Sequence, residues 1–301
     1  QSTGTNNMES PKHTRILGQV MVNNFLNELR NKKILVTGGA GFVGSNLVNT
    51  LLLKTPKQIV IVDNLLSSEY SSVVADPTVS FVEGSISDDK ILRTLPKDLN
   101  FVFHLATYHG NQNSIHAPLA DHQNNLLTTI KLFDKIKDLQ YLNKIVYASA
   151  GCTVAEKTFE EAKATTEDAP ISLWMDSPYQ ISKITGELYS NYFFTHHGLP
   201  IVKARFQNVY GPGEILGAGE WRGTPATVWR NVTPTFIYQA IKKLPLNLEN
   251  KGIATRDFIY VNDIVNGLAL CATKGSAGET YNLASGVEAS VLNLAKLVNK
   301  L

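Results

Sequence analysis

The most constraining feature of this sequence is a run, residues 33–63, with the pattern strand, glycine turn, helix, strand. KILVT (33–37) is a short apolar segment that ends in glycines. Val43, Leu47 and Leu51 then recur at a spacing of four, as on the buried stripe of a helix. QIVIVDN (58–64) is a second apolar segment. Continuous apolar strands joined by a helix are typical of a parallel sheet covered on both faces, so we predict a βαβ unit.

The glycines of this unit predict a dinucleotide site. Gly38, Gly41 and Gly44 form G-x-x-G-x-x-G between the first strand and its helix. The first permits a tight turn, the second lets a pyrophosphate approach the backbone, and the third lets helix and strand pack closely. The helix N-terminus favours the phosphate charge. A glycine turn that serves only packing is the alternative, but the strand–turn–helix context favours nucleotide binding.

Asp63 indicates which dinucleotide is bound. It lies at the end of the second strand, where a carboxylate can accept both ribose hydroxyls. A 2′-phosphate would be repelled there, and Asn64-Leu65-Leu66 offers no arginine to receive it. We therefore predict NAD as the cofactor rather than NADP.

Further apolar runs alternate with helical patterns along the chain, which predicts a doubly wound α/β sheet. From about residue 207 the texture changes, and the Gly-, Pro- and Trp-rich stretch 208–234 is predicted to be a binding loop or lid. The predicted strands are 78–84, 101–106, 144–150, 199–206, the start of 256–272, and 279–285; predicted helices include 124–139, the segment after Pro178, and an amphipathic helix at 16–29.

These patterns predict the domain organisation. Residues 1–30 form an N-terminal extension, and 31–206 form an NAD-binding domain to which strands from about 256–285 return. Residues 207–255 and 286–301 form a smaller substrate-binding lobe.

Composition excludes several classes of function. The net charge is +2, from 28 basic and 26 acidic residues, which gives no electrostatic case for nucleic acid or an anionic membrane. No apolar run approaches the ~18 residues that a membrane helix needs. Two cysteines, Cys152 and Cys271, are too few for a metal cluster or a disulfide framework. We therefore expect a cytoplasmic protein with reduced thiols and no metal.

The segment SPYQISK (177–183) carries the second strong signal. Ser177 can cap a helix, Pro178 suits its first position, and Gln180 completes a capping box. Tyr179 and Lys183 then lie four residues apart on one helix face.

This tyrosine–lysine pair can act as a base. A free phenol has a pKa of about 10. A nearby ammonium and a positive nicotinamide would lower the pKa of Tyr179. The phenolate could then take a proton from a substrate hydroxyl while hydride leaves the same carbon. An exposed, functionless pair is the alternative. The glycine turn upstream and the strand ending at Ser149 favour the catalytic interpretation.

Together these motifs resemble the extended short-chain dehydrogenase/reductase superfamily, in particular its nucleotide-sugar epimerases and dehydratases. The resemblance runs from about Lys33 to the end and includes GGAGFVG, VDN, FHLA, SPYQISK, RFQNVYGPG and RDFIYVNDIV. FHLATYHGNQNSIHAPLADH and WRGTPATVWRNVTPTF further resemble bacterial enzymes that build lipopolysaccharide O-antigen sugars. The resemblance implies a Rossmann-type doubly wound parallel sheet with a smaller, discontinuous C-terminal substrate lobe, and a homodimer formed through the helix of Tyr179 and the one near Asn125.

The resemblance also implies a set of site residues. Tyr179 and Lys183 match the catalytic pair. Asn208 and Arg256 match residues that hold the nucleotide-sugar diphosphate. Positions that match the cofactor site, besides Tyr179 and Lys183, are Gly38, Gly41, Phe42, Val43, Gly44, Asp63, Asn64, Ser85, Ile86, Leu105, Ala106, Thr107, Asn125, Ala148, Ser149, Phe206 and Val209.

Three departures from the family pattern stand out. The serine or threonine that usually orients the substrate hydroxyl falls on Ala150 or Gly151, so Ser149, Cys152 or Thr153 is expected to substitute. Ser85 replaces a usual aspartate beside adenine. Relatives continue beyond the position of Leu301, which leads us to expect a truncated C-terminus.

The predicted reaction is epimerisation of a nucleotide-activated sugar at C4, by transient hydride transfer to NAD through a keto intermediate. The substrate is expected to be a UDP-linked hexose, N-acetylhexosamine or hexuronate for bacterial surface polysaccharide. A dehydratase of the family would carry an Asp-Glu pair after the substrate-orienting threonine. The stretch 151–156, GCTVAE, contains no such pair, and a dehydratase remains the alternative. A non-catalytic NAD-binding or sensor protein is the alternative of another class.

Arg222 and Arg230 are either a fork for a uronate carboxylate or solvated loop arginines.

Overall fold

The computed structural model describes residues 26–154, 165–216, 219–224 and 231–301. Most of the helix predicted at 16–29 and of the N-terminal extension lies outside these residues. The part that is described, Leu26–Leu29, forms a 3₁₀ turn, and Leu29 is fully buried in the core. Within the described ranges, no helix combines the length and apolar character needed to cross a bilayer.

Strands and helices alternate over most of the chain. The described strands are β1 (Lys33–Thr37), β2 (Gln58–Asp63), β3 (Val79–Glu83), β4 (Phe101–His104), β5 (Lys144–Ala150), β6 (Ile201–Phe206), β7 (Asn208–Tyr210), β8 (Thr255–Tyr260), β9 (Thr280–Leu283) and β10 (Glu288–Ser290). The described α-helices are α1 (Phe42–Leu52), α2 (Asp89–Thr94), α3 (Asn111–His116), α4 (Pro118–Asp121), α5 (Thr128–Ile136), α6 (Pro178–His197), α7 (Val232–Ile241), α8 (Val261–Thr273) and α9 (Val291–Lys300). A π-helical segment, His122–Leu127, joins α4 to α5, and short 3₁₀ turns lie at Tyr70–Ser72, Gly151–Thr153, Gly219–Trp221 and Glu249–Gly252.

A seven-stranded sheet forms the centre of the molecule. Its described strands follow the order β3-β2-β1-β4-β5-β6-β9, and every neighbouring pair is parallel. The order reverses direction at β1, between β2 and β4. In a doubly wound sheet, ligands bind at this switch point, outside the carboxyl ends of the strands. The predicted doubly wound parallel sheet is therefore confirmed.

Two apolar layers cover the sheet because its strands are buried on both faces. On one face, α1 and α8 supply Leu47, Leu51 and Leu268 to a cluster with the strand residues of that side. On the other face, α5 and α6 supply Phe133 and Phe193. Alternate residues along each strand serve opposite layers, as the strand period of two requires.

The start of α6 follows the sequence prediction in part. The Ser177 hydroxyl accepts from the Gln180 N–H at 3.3 Å, and Pro178 occupies the first helical turn. The Gln180 side chain does not close the predicted box onto Ser177, because its Oε1 accepts from the Asp176 N–H at 3.1 Å instead. The helix ends at Gly198, whose φ of +65° suits a residue without Cβ.

The later strands divide between two sheets. Thr280–Leu283 (β9) joins the large sheet beside β6, as expected for 279–285. The expectation that the strand at the start of 256–272 also returns there is wrong. That strand, β8, pairs in parallel with β7 and antiparallel with β10, in a separate three-stranded sheet. Asn208–Tyr210 also gives a strand to the stretch predicted to be only a loop. Such short pairing partners leave little periodic signal in a sequence.

Candidate active site

A cleft of about 1830 Å³ opens along the carboxyl ends of the parallel strands. Every predicted site residue except Asn125 and Thr153 lines it. The structure thus brings together residues from the glycine turn, the ends of β2, β4, β5 and β6, the helix α6 and the small sheet.

The glycine turn lies at one end of this cleft. Gly38 has a φ of +74°, and a Cβ there would stand 2.7 Å from the Ala106 backbone nitrogen. A Cβ on Gly44 would stand 2.8 Å from the Gly39 Cα, so the third glycine lets α1 pack against the turn. Among the described residues, no side chain caps α1 at Gly41. Its first-turn N–H groups therefore suit an anionic ligand.

Asp63 sits beside the turn, at the end of β2. Its Oδ2 accepts from the Ala40 N–H at 3.0 Å, and its Oδ1 accepts from the Leu65 N–H at 2.9 Å and from the Ser68 hydroxyl at 3.2 Å. Burial raises the pKa of Asp63, and these hydrogen bonds act in the opposite direction. The carboxylate of Asp63 is thus fixed by the protein at the end of β2, where it lines the cleft.

The next two strand ends form the floor of the cleft. Ser85 and Ile86 follow β3, and the Ser85 hydroxyl pairs with the Ser87 hydroxyl at 2.8 Å. Leu105, Ala106 and Thr107 follow β4 and line the cleft.

Asn125 stands behind this floor rather than in it. Its Oδ1 accepts from the Tyr108 N–H at 2.6 Å and from the Thr107 hydroxyl at 2.9 Å. Its Nδ2 donates to Asp121 Oδ1 at 2.7 Å and to the Ser182 hydroxyl at 3.2 Å. It is buried and does not line the cleft. The expected contact of Asn125 with the cofactor is therefore corrected: it fastens the loop after β4 to α6.

Tyr179 and Lys183 lie side by side above the strand ends. The Lys183 Nζ donates to the Ala148 carbonyl at 2.9 Å and stands 5.8 Å from the centre of the Tyr179 ring. Burial lowers the pKa of Lys183 to about 8, with Asp121 and Cys152 acting in the opposite direction. The Tyr179 N–H donates to the Ser114 hydroxyl at 3.1 Å, which anchors the start of α6.

The pKa of Tyr179 departs from the sequence prediction. Burial raises it well above the usual phenol value, and Cys152, Tyr147 and Asp121 add to the rise. The hydrogen bond with the Thr107 hydroxyl acts in the opposite direction. Burial therefore favours the neutral phenol.

The three residues expected to replace the missing substrate-orienting hydroxyl differ in their hydrogen bonds and in whether they line the cleft. The Thr153 hydroxyl donates to the Ala150 carbonyl at 2.8 Å and is buried away from the cleft, so its predicted role is corrected. The Ser149 hydroxyl donates to Glu187 Oε1 at 2.5 Å. Cys152 lines the cleft.

Glu187 is itself held in a buried ion pair, which fixes Ser149 further. Arg205 donates to both Glu187 oxygens, at 2.9 and 2.7 Å, and both side chains are almost fully buried. A bidentate pair in a buried setting has a defined geometry. The proton of the Ser149 hydroxyl is therefore held in a hydrogen bond to a buried, fixed carboxylate.

The substrate side of the cleft is formed by the small sheet. Asn208 and Val209 of β7, together with Phe206, line the cleft, as does Arg256 of β8. Arg256 is exposed, and its Nη1 donates to the Thr255 carbonyl at 2.6 Å. The cations among the described lining residues are Lys183 and Arg256.

Of the two alternatives for Arg222 and Arg230, a uronate fork or solvated loop arginines, the described residues do not form the fork. Arg222 is exposed, pairs with Glu69 and does not line the cleft. Arg230 lies outside the described residues. The idea of Arg222 as a carboxylate ligand is therefore corrected, because its guanidinium is engaged by a carboxylate of the protein itself.

Residues that the sequence did not single out also line the cleft. The His109 ring contacts the Tyr179 ring edge to face, with 5.9 Å between the centres. Its Nε2 lies 3.5 Å from Asn231 Oδ1, and Asn231 Nδ2 donates to Glu214 at 2.8 Å. Gln207 lines the cleft next to Gly151. His109 and Gln207 each lie within a few residues of a strand end, and that position was the available signal.

The geometry fits NAD. Gly38 and Gly44 let the turn pack closely, because a Cβ at either position would collide with backbone atoms. Gly41 lines the cleft without a side chain, so a pyrophosphate could approach its backbone. Phe42 and Val43 begin α1 and could bind phosphate through their N–H groups, and Asp63 could hold the adenosine ribose. No group of three or more possible metal ligands occurs among the described residues.

Known proteins resemble this chain over most of its length. The model of the NAD dependent epimerase/dehydratase family matches residues 34–284. The enzyme WbmF of Bordetella bronchiseptica is 56% identical; its complex with NAD+ and UDP superposes with a TM-score of 0.83, over 91% of this chain and 79% of that one.

Curated relatives include both branches of the family. A putative UDP-glucose 4-epimerase of Methanocaldococcus jannaschii is 30% identical, over 88% of this chain and 81% of the relative. A dTDP-D-glucose 4,6-dehydratase of Dictyostelium discoideum is 27% identical over 89% of this chain, which spans only 61% of that relative's length. The family match covers more than half of the chain and agrees with the parallel sheet, the glycine turn and the tyrosine–lysine pair. The chain belongs to the NAD dependent epimerase/dehydratase family.

Proposed function

We propose that this protein is an NAD-dependent epimerase that inverts C4 of a UDP-linked sugar. The observation that carries the proposal is the pairing of buried Tyr179 and Lys183 over the strand ends of the NAD cleft. Bound NAD would accept hydride from the sugar carbon and return it to the opposite face. A protein that only binds or senses NAD has no need of a phenol and an ammonium held together at this place.

Tyr179 moves the proton in this proposal. Its phenol oxygen takes the proton of the sugar hydroxyl as the carbon is oxidised and gives it back to the keto oxygen on return. Burial favours the neutral phenol, so the charged form depends on Lys183 and on the positive nicotinamide of the bound cofactor. Lys183 is held in place by the Ala148 carbonyl, where its ammonium can stabilise the phenolate.

Epimerisation is favoured over dehydration by the turn after β5. Elimination of water needs a general acid and a general base next to the sugar. The stretch 151–156 has no Asp-Glu pair of the kind that a dehydratase of the family carries, and the Thr153 hydroxyl is turned into the protein. Dehydration to a 4-keto-6-deoxy sugar remains the second candidate, because the relative from Dictyostelium discoideum carries that activity in its name.

The nucleotide is proposed to be UDP, which WbmF binds in its solved complex. The exposed guanidinium of Arg256 would receive the diphosphate, and the Asn208 side chain would add a hydrogen bond from the neighbouring strand. The sugar is proposed to be a hexose, N-acetylhexosamine or hexuronate. We place the reaction in the cytoplasm, in the synthesis of a bacterial surface polysaccharide, on the resemblance of FHLATYHGNQ and the 221–236 stretch.

Proton NMR tests this function directly. The protein is incubated with NAD and a panel of UDP-hexoses, UDP-N-acetylhexosamines and UDP-hexuronates. We expect a new anomeric signal that reaches the same ratio from either C4 epimer. A product with a 6-deoxy methyl signal would establish the dehydratase instead. NAD binding without reduced nicotinamide or product on any sugar, including dTDP-glucose, would support the non-catalytic alternative.

A further inference from the structure

At the edge of the cleft, the Gln207 side chain occupies the space next to Gly151 where a side chain at position 151 would lie. Gly151 is one of the two positions at which the family pattern expects the substrate-orienting hydroxyl. A Cβ on Gly151 would stand 2.6 Å from the Gln207 Cδ and 2.7 Å from Oε1, and it would overlap Nε2. The Gln207 carboxamide therefore fills the space that any side chain at 151 would enter.

The strand pairing explains how two residues so far apart in sequence meet. Strands β5 and β6 are parallel neighbours, and Ala150 pairs with Phe206 at their carboxyl ends. Gly151 and Gln207 are the next residue on each strand. The Gln207 N–H donates to the Leu283 carbonyl at 3.2 Å, which fixes its backbone. Among the described residues, the Gln207 carboxamide has no hydrogen-bond partner, and it lines the cleft.

The other polar groups of this turn are less suited to hold a substrate oxygen. The Ser149 hydroxyl donates to Glu187, and the Thr153 hydroxyl donates to the Ala150 carbonyl. Cys152 offers only a weak S–H donor. A carboxamide, by contrast, carries two donors and a carbonyl acceptor.

We propose that the Gln207 carboxamide orients the reacting oxygen of the sugar, in the place of the hydroxyl that this chain lacks at 151. Its Nε2–H donates to a lone pair of the sugar oxygen, both as an alcohol and as a ketone, which leaves the single proton of the alcohol free to point to Tyr179. An amide does not relay a proton as a hydroxyl can. The proton therefore passes directly between the sugar oxygen and the Tyr179 phenol oxygen. This inference rests on the proposed hydride-transfer function.

The first test is Gln207→Ala, with Gln140→Ala as the matched control, because Gln140 is an exposed glutamine away from the cleft. We expect Gln207→Ala to lower kcat by roughly 10²-fold, the typical effect of removing one donor to a developing oxyanion. NADH affinity and melting temperature should stay at their wild-type values in both variants. A wild-type kcat in Gln207→Ala would overturn the proposal.

The second test uses the space next to Gly151 that the Gln207 side chain fills. Gly151→Ser alone should lower activity, because the new side chain collides with Gln207. The double variant Gly151→Ser/Gln207→Ala frees that space and supplies a hydroxyl, so it should be more active than either single variant. Relief of the collision alone would make the double variant more active than Gly151→Ser but no more active than Gln207→Ala. A double variant no more active than Gln207→Ala would therefore contradict the inference.

Calorimetry separates this inference from the proposed function. Gln207→Ala should weaken binding of a UDP-sugar about two- to tenfold, as expected for one lost hydrogen bond, and leave binding of UDP unchanged. If the wild type turns over no sugar, the proposed function fails while this contrast in affinity still decides the role of Gln207. Equal UDP-sugar affinity in the wild type and Gln207→Ala would count against the inference.

Discussion

We expect the charge of Lys183 to control the rate at the proposed site. Its ammonium favours the Tyr179 phenolate, and burial lowers its pKa to about 8. A lysine is charged below its pKa, so the rate of sugar oxidation should fall as the pH rises through about 8. In Lys183→Arg the guanidinium stays charged, and this alkaline decline should disappear even though the new geometry lowers the rate overall. Steady-state pH–rate profiles of the two proteins check the prediction. An unchanged alkaline decline in Lys183→Arg would assign it to another group.

At the same scale, the sequence identified residues whose signal is local. The four-residue spacing of Tyr179 and Lys183 and the glycine spacing can each be read in one segment. Gln207 could not be identified from the sequence, because its proposed role depends on Gly151, which follows another strand. The hydrogen bond from Ser149 to Glu187 could not be predicted either. A hydroxyl in sequence shows only that a donor exists, and its partner is set by packing across elements.

The turn between β1 and α1 offers a test at the scale of elements. Gly44→Ala places a methyl group that overlaps the Gly38 carbonyl oxygen and lies 2.8 Å from the Gly39 Cα, and it should lower the free energy of unfolding by about 1–3 kcal/mol. Gly41→Ala is the matched comparison, since its new methyl meets only the Gly38 carbonyl, at 3.2 Å, and its φ of −72° suits any residue. That variant should stay near wild-type stability yet bind NADH more weakly, because the methyl group covers the phosphate site. Urea unfolding and NADH titration measure both effects. Equal losses of stability in the two variants would contradict the assignment.

The large sheet was predictable for a physical reason. Its strands are buried on both faces, so each one appears in the sequence as an unbroken apolar run such as QIVIVD. The three-stranded sheet could not be predicted in this way. Strand β7 has three residues, and β8 resembles a core strand in RDFIYV although it pairs elsewhere. Pairing partners are chosen by tertiary contacts, which a single apolar run does not reveal.

At the scale of the whole molecule, the helix α6 has an exposed apolar face. Ile181, Leu188 and Tyr192 of α6 are about half exposed, and Leu119 of the neighbouring α4 is 83% exposed. Ile181, Leu188 and Tyr192 follow helical spacing, so they form one apolar stripe. We propose that this stripe meets its copy in a second chain and forms the homodimer that the family resemblance implies.

Leu188→Glu should convert that dimer to a monomer, because it buries a carboxylate without a partner in the contact. Leu297→Glu is the matched control: it makes the same change at an equally exposed position of α9, away from the stripe. Light scattering should give the wild type and Leu297→Glu twice the mass of the chain, and Leu188→Glu the mass of a single chain. NADH binding should persist in both variants, since neither residue lines the cleft. A wild type that scatters as a single chain at high concentration would rule out the dimer. A dimeric Leu188→Glu would place the contact on another face.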